Sequence, residues 1–347
     1  MTMVMTVTGR VDSAELGTTL THEHVINDVT SWWHETSSTG WAADEFAARP
    51  VTMDIVWDLK QDPFGNRDNC RLDDEELAIE EVGRYAELGG STIIDATGLG
   101  VGRDLVLLRR VSERSGVKII AGTGYYLDAA QPTDVKGLTP EEIAEHIVRD
   151  VVEGDGGIHP GIIGEIGVGA DFTPAERASL EGALMAQRTL HLPVQVHLPA
   201  WFRRADEVLD LAERHGVDPA NIVLCHMGPS GDDPTYQEQL LRRGAWVQYD
   251  MIGMEVFYAD QGVQCPSDEQ NATWLCRLAE RGHLERLLIS QDIFLKSLLR
   301  HFGGPGYGHI LQYFVPRLQR LGMSQADTDQ LLTTNPRTLF ETAQKEN

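Results

Sequence analysis

Eight short apolar runs, separated mostly by longer segments of helical period, constrain this chain more than any other feature. The runs are residues 16–24, 91–97, 117–123, 161–167, 193–198, 221–226, 245–250 and 286–292. Near-continuous Val, Ile and Leu is the pattern of parallel strands covered on both faces; a sheet with one wet face would alternate polar and apolar. Helical segments are expected at 73–88, 103–115, 139–152, 173–190 and 202–215. Two of them open on Thr139-Pro140-Glu141-Glu142 and Thr173-Pro174-Ala175-Glu176, with proline in the first turn, where its missing N–H costs nothing. Gly89, Gly116 and Gly216 stand where three of them stop. Eight strands alternating with mostly helical connections predict an α/β fold, a (β/α)8 TIM barrel occupying residues 1–347 as a single domain; a doubly wound open sheet is the alternative.

Two insertions are long, 25–72 after the first strand and 251–268 after the seventh. Both leave the C-terminal ends of strands, the face where barrel enzymes build their sites. The first carries Trp32, Trp33, Trp41 and Trp57. Loop packing is the ordinary reading of that cluster, with a pocket wall or a subunit contact as the alternatives.

The formal charge of −24 comes from 29 Lys and Arg against 53 Asp and Glu, so the surface repels phosphate backbones and anionic lipid. Nucleic-acid and membrane partners are therefore not expected, and an anionic substrate would need local positive charge, which bound metals can supply. Cys70, Cys225, Cys265 and Cys276 form no CxxC pair, and four cysteines in 347 residues make no disulfide framework. A reduced, cytoplasmic setting is expected. Residues 1–10 show no basic stretch leading into an apolar run, and no stretch approaches ~18 consecutive apolar residues.

Five of the eight strands end on a metal-competent residue. The first ends Thr21-His22-Glu23-His24, where period-two alternation turns both imidazoles to one side. The fourth ends on Glu165 within Gly164-Glu165-Ile166-Gly167, the fifth on His197, the sixth on His226 and the eighth on Asp292. Singly, each has an ordinary explanation: a surface histidine pair, a carboxylate paired with arginine, a satisfied core histidine, or a helix cap. Jointly, a closed barrel would bring all six to one rim. Imidazole suits zinc and its neighbours, and Glu165 on a middle strand has two oxygens with which to bridge two ions. The remaining histidines fall mainly in helices or loops and are expected to be solvated, His309 being the least certain.

These residues resemble the amidohydrolase superfamily and, within it, the phosphotriesterase family, over nearly the whole chain. The resemblance is carried by Gly17-Thr-Thr-Leu-Thr-His-Glu-His24, Gly102-Arg-Asp104, Gly161-Ile-Ile-Gly-Glu-Ile-Gly167, Tyr249-Asp250 and Thr333-Thr-Asn-Pro336, and by Lys296 followed by Tyr307 and His309. It is nearest to the phosphotriesterase-related proteins. It implies a binuclear site, commonly zinc, with manganese, cobalt or iron as other candidates. His22, His24 and Asp292 would hold the more buried ion, and His197 and His226 the more exposed one. Glu165 stands where many relatives bridge with a carboxylated lysine, which points away from the organophosphate-degrading branch. The resemblance also implies a homodimer acting on a small molecule.

The expected reaction is hydrolysis of a lactone or carboxylic ester, with an N-acyl amide or a phosphotriester as alternatives at the same site. Asp292 is expected to be both ligand and general base, a double role taken from the resemblance. Substrate contacts are expected from Tyr125 and its neighbour Tyr126, from Lys296 through its charge, and from Tyr307 in the glycine-rich loop. Two rival readings are a mononuclear barrel enzyme, such as a deaminase, and a barrel that binds metal or ligand without turnover.

Overall fold

Two of the barrel helices begin where their sequence places a capping box. In the computed structural model, which describes residues 2–36 and 40–345, Thr139 and Thr173 each accept from the backbone N–H three residues on. Glu142 and Glu176 return the bond to the cap residue, so two orphan donors per helix are satisfied. These caps open α3 (Pro140–Glu153) and α4 (Pro174–Leu190). The other principal helices are α1 (Glu75–Glu87), α2 (Leu105–Ser115), α5 (Ala205–Arg214), α6 (Pro234–Arg242), α7 (Asp268–Glu280) and α8 (Asn335–Gln344).

Between them run eight parallel strands: β1 (Thr19–Glu23), β2 (Thr92–Asp95), β3 (Lys118–Thr123), β4 (Ile162–Gly167), β5 (Val194–His197), β6 (Ile222–Leu224), β7 (Trp246–Tyr249) and β8 (Leu287–Ile289). Their order in the sheet is their order in the chain, the topology of a (β/α)8 barrel and not of a doubly wound sheet. The seam between β1 and β8 is closed just past the strand ends. Asp292 N–H donates to the His22 carbonyl at 3.1 Å, and His24 N–H to the Ile293 carbonyl at 3.2 Å. Glu23 fastens the same seam. Its carboxylate accepts from Ser290 Oγ at 2.7 Å and from the Gln291 and Ile293 N–H groups at 2.9 Å each.

The strands are buried on both faces, as their composition requires. A hairpin of Met3–Thr6 and Gly9–Asp12 covers one end of the barrel, where Val4 packs with Ile94, Ile120, Ile162 and Phe340. The insertion after β1 carries short helices Ala43–Ala48 and Val56–Gln61 around a small cluster of Phe46, Val51, Ile55 and Leu59. The insertion after β7 carries a two-residue hairpin pairing Phe257–Tyr258 with Val263–Gln264. Among the described residues, no helix is long and apolar enough to cross a membrane.

Candidate active site

The C-terminal ends of β1, β4, β5, β6 and β8 bring His22, His24, Glu165, His197, His226 and Asp292 to one point at the floor of a cavity. Glu165 is central. Its Oε1 lies 3.6 Å from His24 Nε2, while its Oε2 lies 3.6 Å from His22 Nε2 and 3.3 Å from both His197 Nδ1 and His226 Nε2. Asp292 Oδ1 lies 3.2 Å from His24 Nε2 and 3.6 Å from His22 Nε2. His226 Nε2 and His197 Nδ1 are 2.8 Å apart. Two ligands of one tetrahedral zinc, each ~2.0–2.1 Å from the ion, stand roughly 3.3 Å from one another. The observed spacings have that scale. Among the described residues three groups of three ligand atoms, His22–His24–Asp292, His22–Glu165–His226 and His22–Cys225–Asp250, are each compact enough to hold an ion, and His197 joins the cluster through Glu165 and His226.

The fit to a cation rests most directly on His22. Its Nε2 is buried and makes no hydrogen bond, although two carboxylate oxygens are aimed at it from 3.6 Å. A buried polar atom in that condition calls for a partner. The outward ring nitrogens are already engaged, which turns the opposite nitrogens to the cluster. His24 Nδ1 is 2.9 Å from Thr97 Oγ1, and His226 Nδ1 is 2.9 Å from Asp250 Oδ1. Backbone conformation contributes too. His226 and Asp292 sit in the left-handed region, at φ 57° and 52°, which costs a non-glycine residue roughly 1–3 kcal/mol and is characteristic of functional positions.

Electrostatics point the same way. Burial would raise the Glu165 carboxyl, but His22, His197 and His226 outweigh it and hold the group well below the usual carboxylate range. Burial depresses His22, favouring the neutral imidazole that ligates metal. Burial also opposes protonation of His24 and His226, yet their carboxylate neighbours prevail: His24 is pushed up to about 9, and His226 rises well above its ordinary value. The carboxylates thus demand positive charge here, from imidazole protons or from cations.

One supporting carboxylate, noted from sequence only as part of the Tyr249-Asp250 strand end, was given no role there. Asp250, just past β7, is fully buried, accepts from His226 N–H at 3.0 Å as well as from its ring, and lies 3.6 Å from His22 Nδ1. It occupies the same strand-end position as the six, a signal that was there to be read.

Of the four residues expected to touch substrate, Tyr126 lines the cavity, and Tyr125, Lys296 and Tyr307 lie outside it. Tyr125 is buried away from it, its carbonyl accepting from Ser179 and its hydroxyl 3.3 Å from His146 Nδ1. The neighbouring Tyr126 takes its place in the cavity wall, with its hydroxyl 3.3 Å from His197 Nδ1. A glycine permits this: a Cβ at Gly167 would lie 2.2 Å from Leu127 N, so only glycine lets the segment after β3 cross so close to β4. Lys296 is spent on an ion pair with Asp68 of the first insertion. Tyr307 is buried beneath the rim and donates to the His24 carbonyl at 2.9 Å, so it props a candidate ligand instead of meeting substrate. His309 pairs with Asp268 at 2.7 Å.

The tryptophans of the first insertion divide. Trp32 lines the cavity, contrary to the loop-packing expectation, stacked on Phe64 with centroids 5.3 Å apart. Trp33 lies under the Arg67 guanidinium and Trp41 under that of Arg49, as loop packing would have it, while Trp57 is exposed.

The likeness of this chain to known proteins spans nearly its whole length. The model of the phosphotriesterase family matches residues 2–340. An N-acetyltaurine hydrolase of Tetraodon nigroviridis is 35% identical over 340 residues, covering 96% of each chain. The crystal structure of a resiniferatoxin-binding protein from Rhodobacter sphaeroides is 47% identical with a TM-score of 0.95, over 97% of this chain and 94% of that one. A phosphotriesterase homology protein from Escherichia coli, crystallised with phosphate in its active site, is 29% identical with a TM-score of 0.78, over 94% of this chain and 99% of that one.

Proposed function

This chain belongs to the phosphotriesterase family and is a hydrolase; from that premise we propose that it cleaves a carboxylic ester or lactone with the help of two divalent ions. The convergence of six ligand-capable side chains, with His22 Nε2 buried and unpaired among them, carries the reading. His22, His24 and Asp292 would hold one ion and His197 and His226 the other, with Glu165 offering one oxygen to each side. A set so rich in imidazole favours zinc, though manganese, cobalt or iron would also be accepted.

Ions bound there would acidify a water and polarise the scissile carbonyl. The chain supplies the rest. Asp292 turns Oδ1 toward the β1 histidines, leaving Oδ2 to take the proton of the attacking water and pass it to the leaving oxygen. Tyr126, beside His197, can donate a hydrogen bond to a substrate oxygen as charge develops on it. Asp250 keeps the His226 ring oriented throughout.

Cleavage of an N-acyl amide is the second reading, favoured by the relative that is an N-acetyltaurine hydrolase. The same Asp292 would then protonate a departing amine, a harder leaving group. A screen of metal-replete protein across lactones, aryl and alkyl esters, N-acyl amines and phosphotriesters separates the cases. The ester or lactone reading predicts kcat/KM highest for carboxylic esters or lactones. Amides turned over faster than matched esters would replace it with the second reading, and inertness to every class would leave a binding barrel.

A further inference from the structure

The cavity above the candidate metal cluster has a volume of about 400 Å³, within the range of sites that enclose a whole small molecule. Its wall is a run of aromatic rings. Trp32 stacks on Phe64, and Phe64 on Tyr258 with centroids 5.4 Å apart and planes 10° from parallel. Trp201 meets Tyr258 edge to face at 5.9 Å. Phe294 leans on Phe64 from the metal side, its ring 6.3 Å from that of His24, and Phe202 stands exposed at the rim.

Among the described residues that line this space there is no lysine or arginine. The cations nearest in sequence are committed elsewhere, Arg103 to an ion pair with Asp150. Arg204 bonds the Ala170 carbonyl and Glu207, and Arg203 lies over Tyr236. Arg67 lies on Trp33, and Lys296 pairs with Asp68. The two ions proposed at the floor serve the reacting carbonyl, so a sulfonate, carboxylate or phosphate on the non-reacting end of a substrate would lose its water against the aromatic wall and meet no cationic side chain there, which is costly. An uncharged aryl or alkyl group would gain from the same burial.

We infer that the non-reacting part of the substrate is uncharged and apolar, an aryl group or an alkyl chain of several carbons. This chain therefore departs from the anionic substrate class to which N-acetyltaurine, a sulfonate, belongs. The inference rests on the ester-cleaving reading for its kinetic arm only.

The test compares 4-nitrophenyl acetate, hexanoate and 6-sulfohexanoate with metal-replete enzyme, each rate divided by that of spontaneous hydrolysis. At about fourfold per buried methylene as an upper limit, hexanoate should exceed acetate in kcat/KM by about 10–100-fold, and the sulfonate should fall to the acetate level or below. Phe202→Arg, at an exposed position where folding is not at stake, should narrow the hexanoate-to-sulfohexanoate ratio at least about fivefold. A second arm measures binding of hexyl phenyl ketone and its ω-sulfonate, neither of which can be hydrolysed, through tryptophan fluorescence. The ketone should bind at least about tenfold more tightly. Equal or reversed affinities, or a sulfonate turned over as well as hexanoate, would overturn the inference. Loss of all turnover with the ketone still preferred would defeat only the ester reading.

Discussion

Asp250→Asn removes one charge from behind the cluster while keeping its shape. In the native chain Asp250 accepts from the His226 N–H and ring and from Gln248 Nε2 at 2.9 Å. Burial would raise its carboxyl, but His226 and His22 hold it below the usual range, so it acts as an anion. Asparagine keeps one acceptor for His226 and turns an NH2 toward Gln248. Gln248 Oε1 is buried without a hydrogen bond, so a flip of that amide would accept the new donor and the fold should survive. What is lost is the charge on the bond to the His226 ring. A charged hydrogen bond contributes ~1.5–3 kcal/mol and a neutral one ~0.5–1.5, leaving a deficit of about 1–2 kcal/mol. That is a 5- to 30-fold loss of metal affinity, overlapping the usual 10- to 100-fold effect of a residue behind a metal ligand. Competition against a chromophoric chelator measures it, with thermal unfolding as the control for folding. Metal affinity within twofold of the native protein at unchanged Tm would refute the role given to Asp250.

Asp292→Asn should lower kcat/KM by about 10²–10⁴-fold while circular dichroism stays native; near-native rates would remove Asp292 as the proton acceptor. Lys296→Ala should leave KM for anionic and neutral substrates alike and cost at most about 1 kcal/mol in denaturant unfolding, because Lys296 serves a partly exposed ion pair with Asp68. His309→Ala should lower Tm near neutral pH. Burial would raise the Asp268 carboxyl, but His309 holds it below its usual value, so that stability is present above about pH 4 and lost as pH falls through the depressed value. The Tm gap between variant and native protein should close below about pH 4, and a constant gap would mean that packing, not the ion pair, was lost.

The barrel could be read from the chain because its signals are local. The run expected at 193–198 is the strand Val194–His197, and the helix expected at 173–190 is Pro174–Leu190, fixed by its own threonine and proline. The six clustered residues were legible for a related reason: in a closed barrel, position at a strand end is already position in space. Beyond the strand ends that rule fails. Gly124 has φ 111° and turns the chain, so period-two reasoning could not say whether Tyr125 or Tyr126 faces the cavity. Lys296 was misjudged because Asp68, which neutralises it, lies 228 residues away in an insertion without periodicity. Trp32 was hidden in the same segment, since nothing local distinguishes a tryptophan that stacks on Phe64 from one that lies under Arg67.

The central claim is that the cluster around Glu165 holds a pair of ions, and metal content per chain tests it most directly. Elemental analysis of the active protein, after removal of loosely held metal, should give two divalent ions per chain. A protein that reaches full activity with one ion or none would contradict the account.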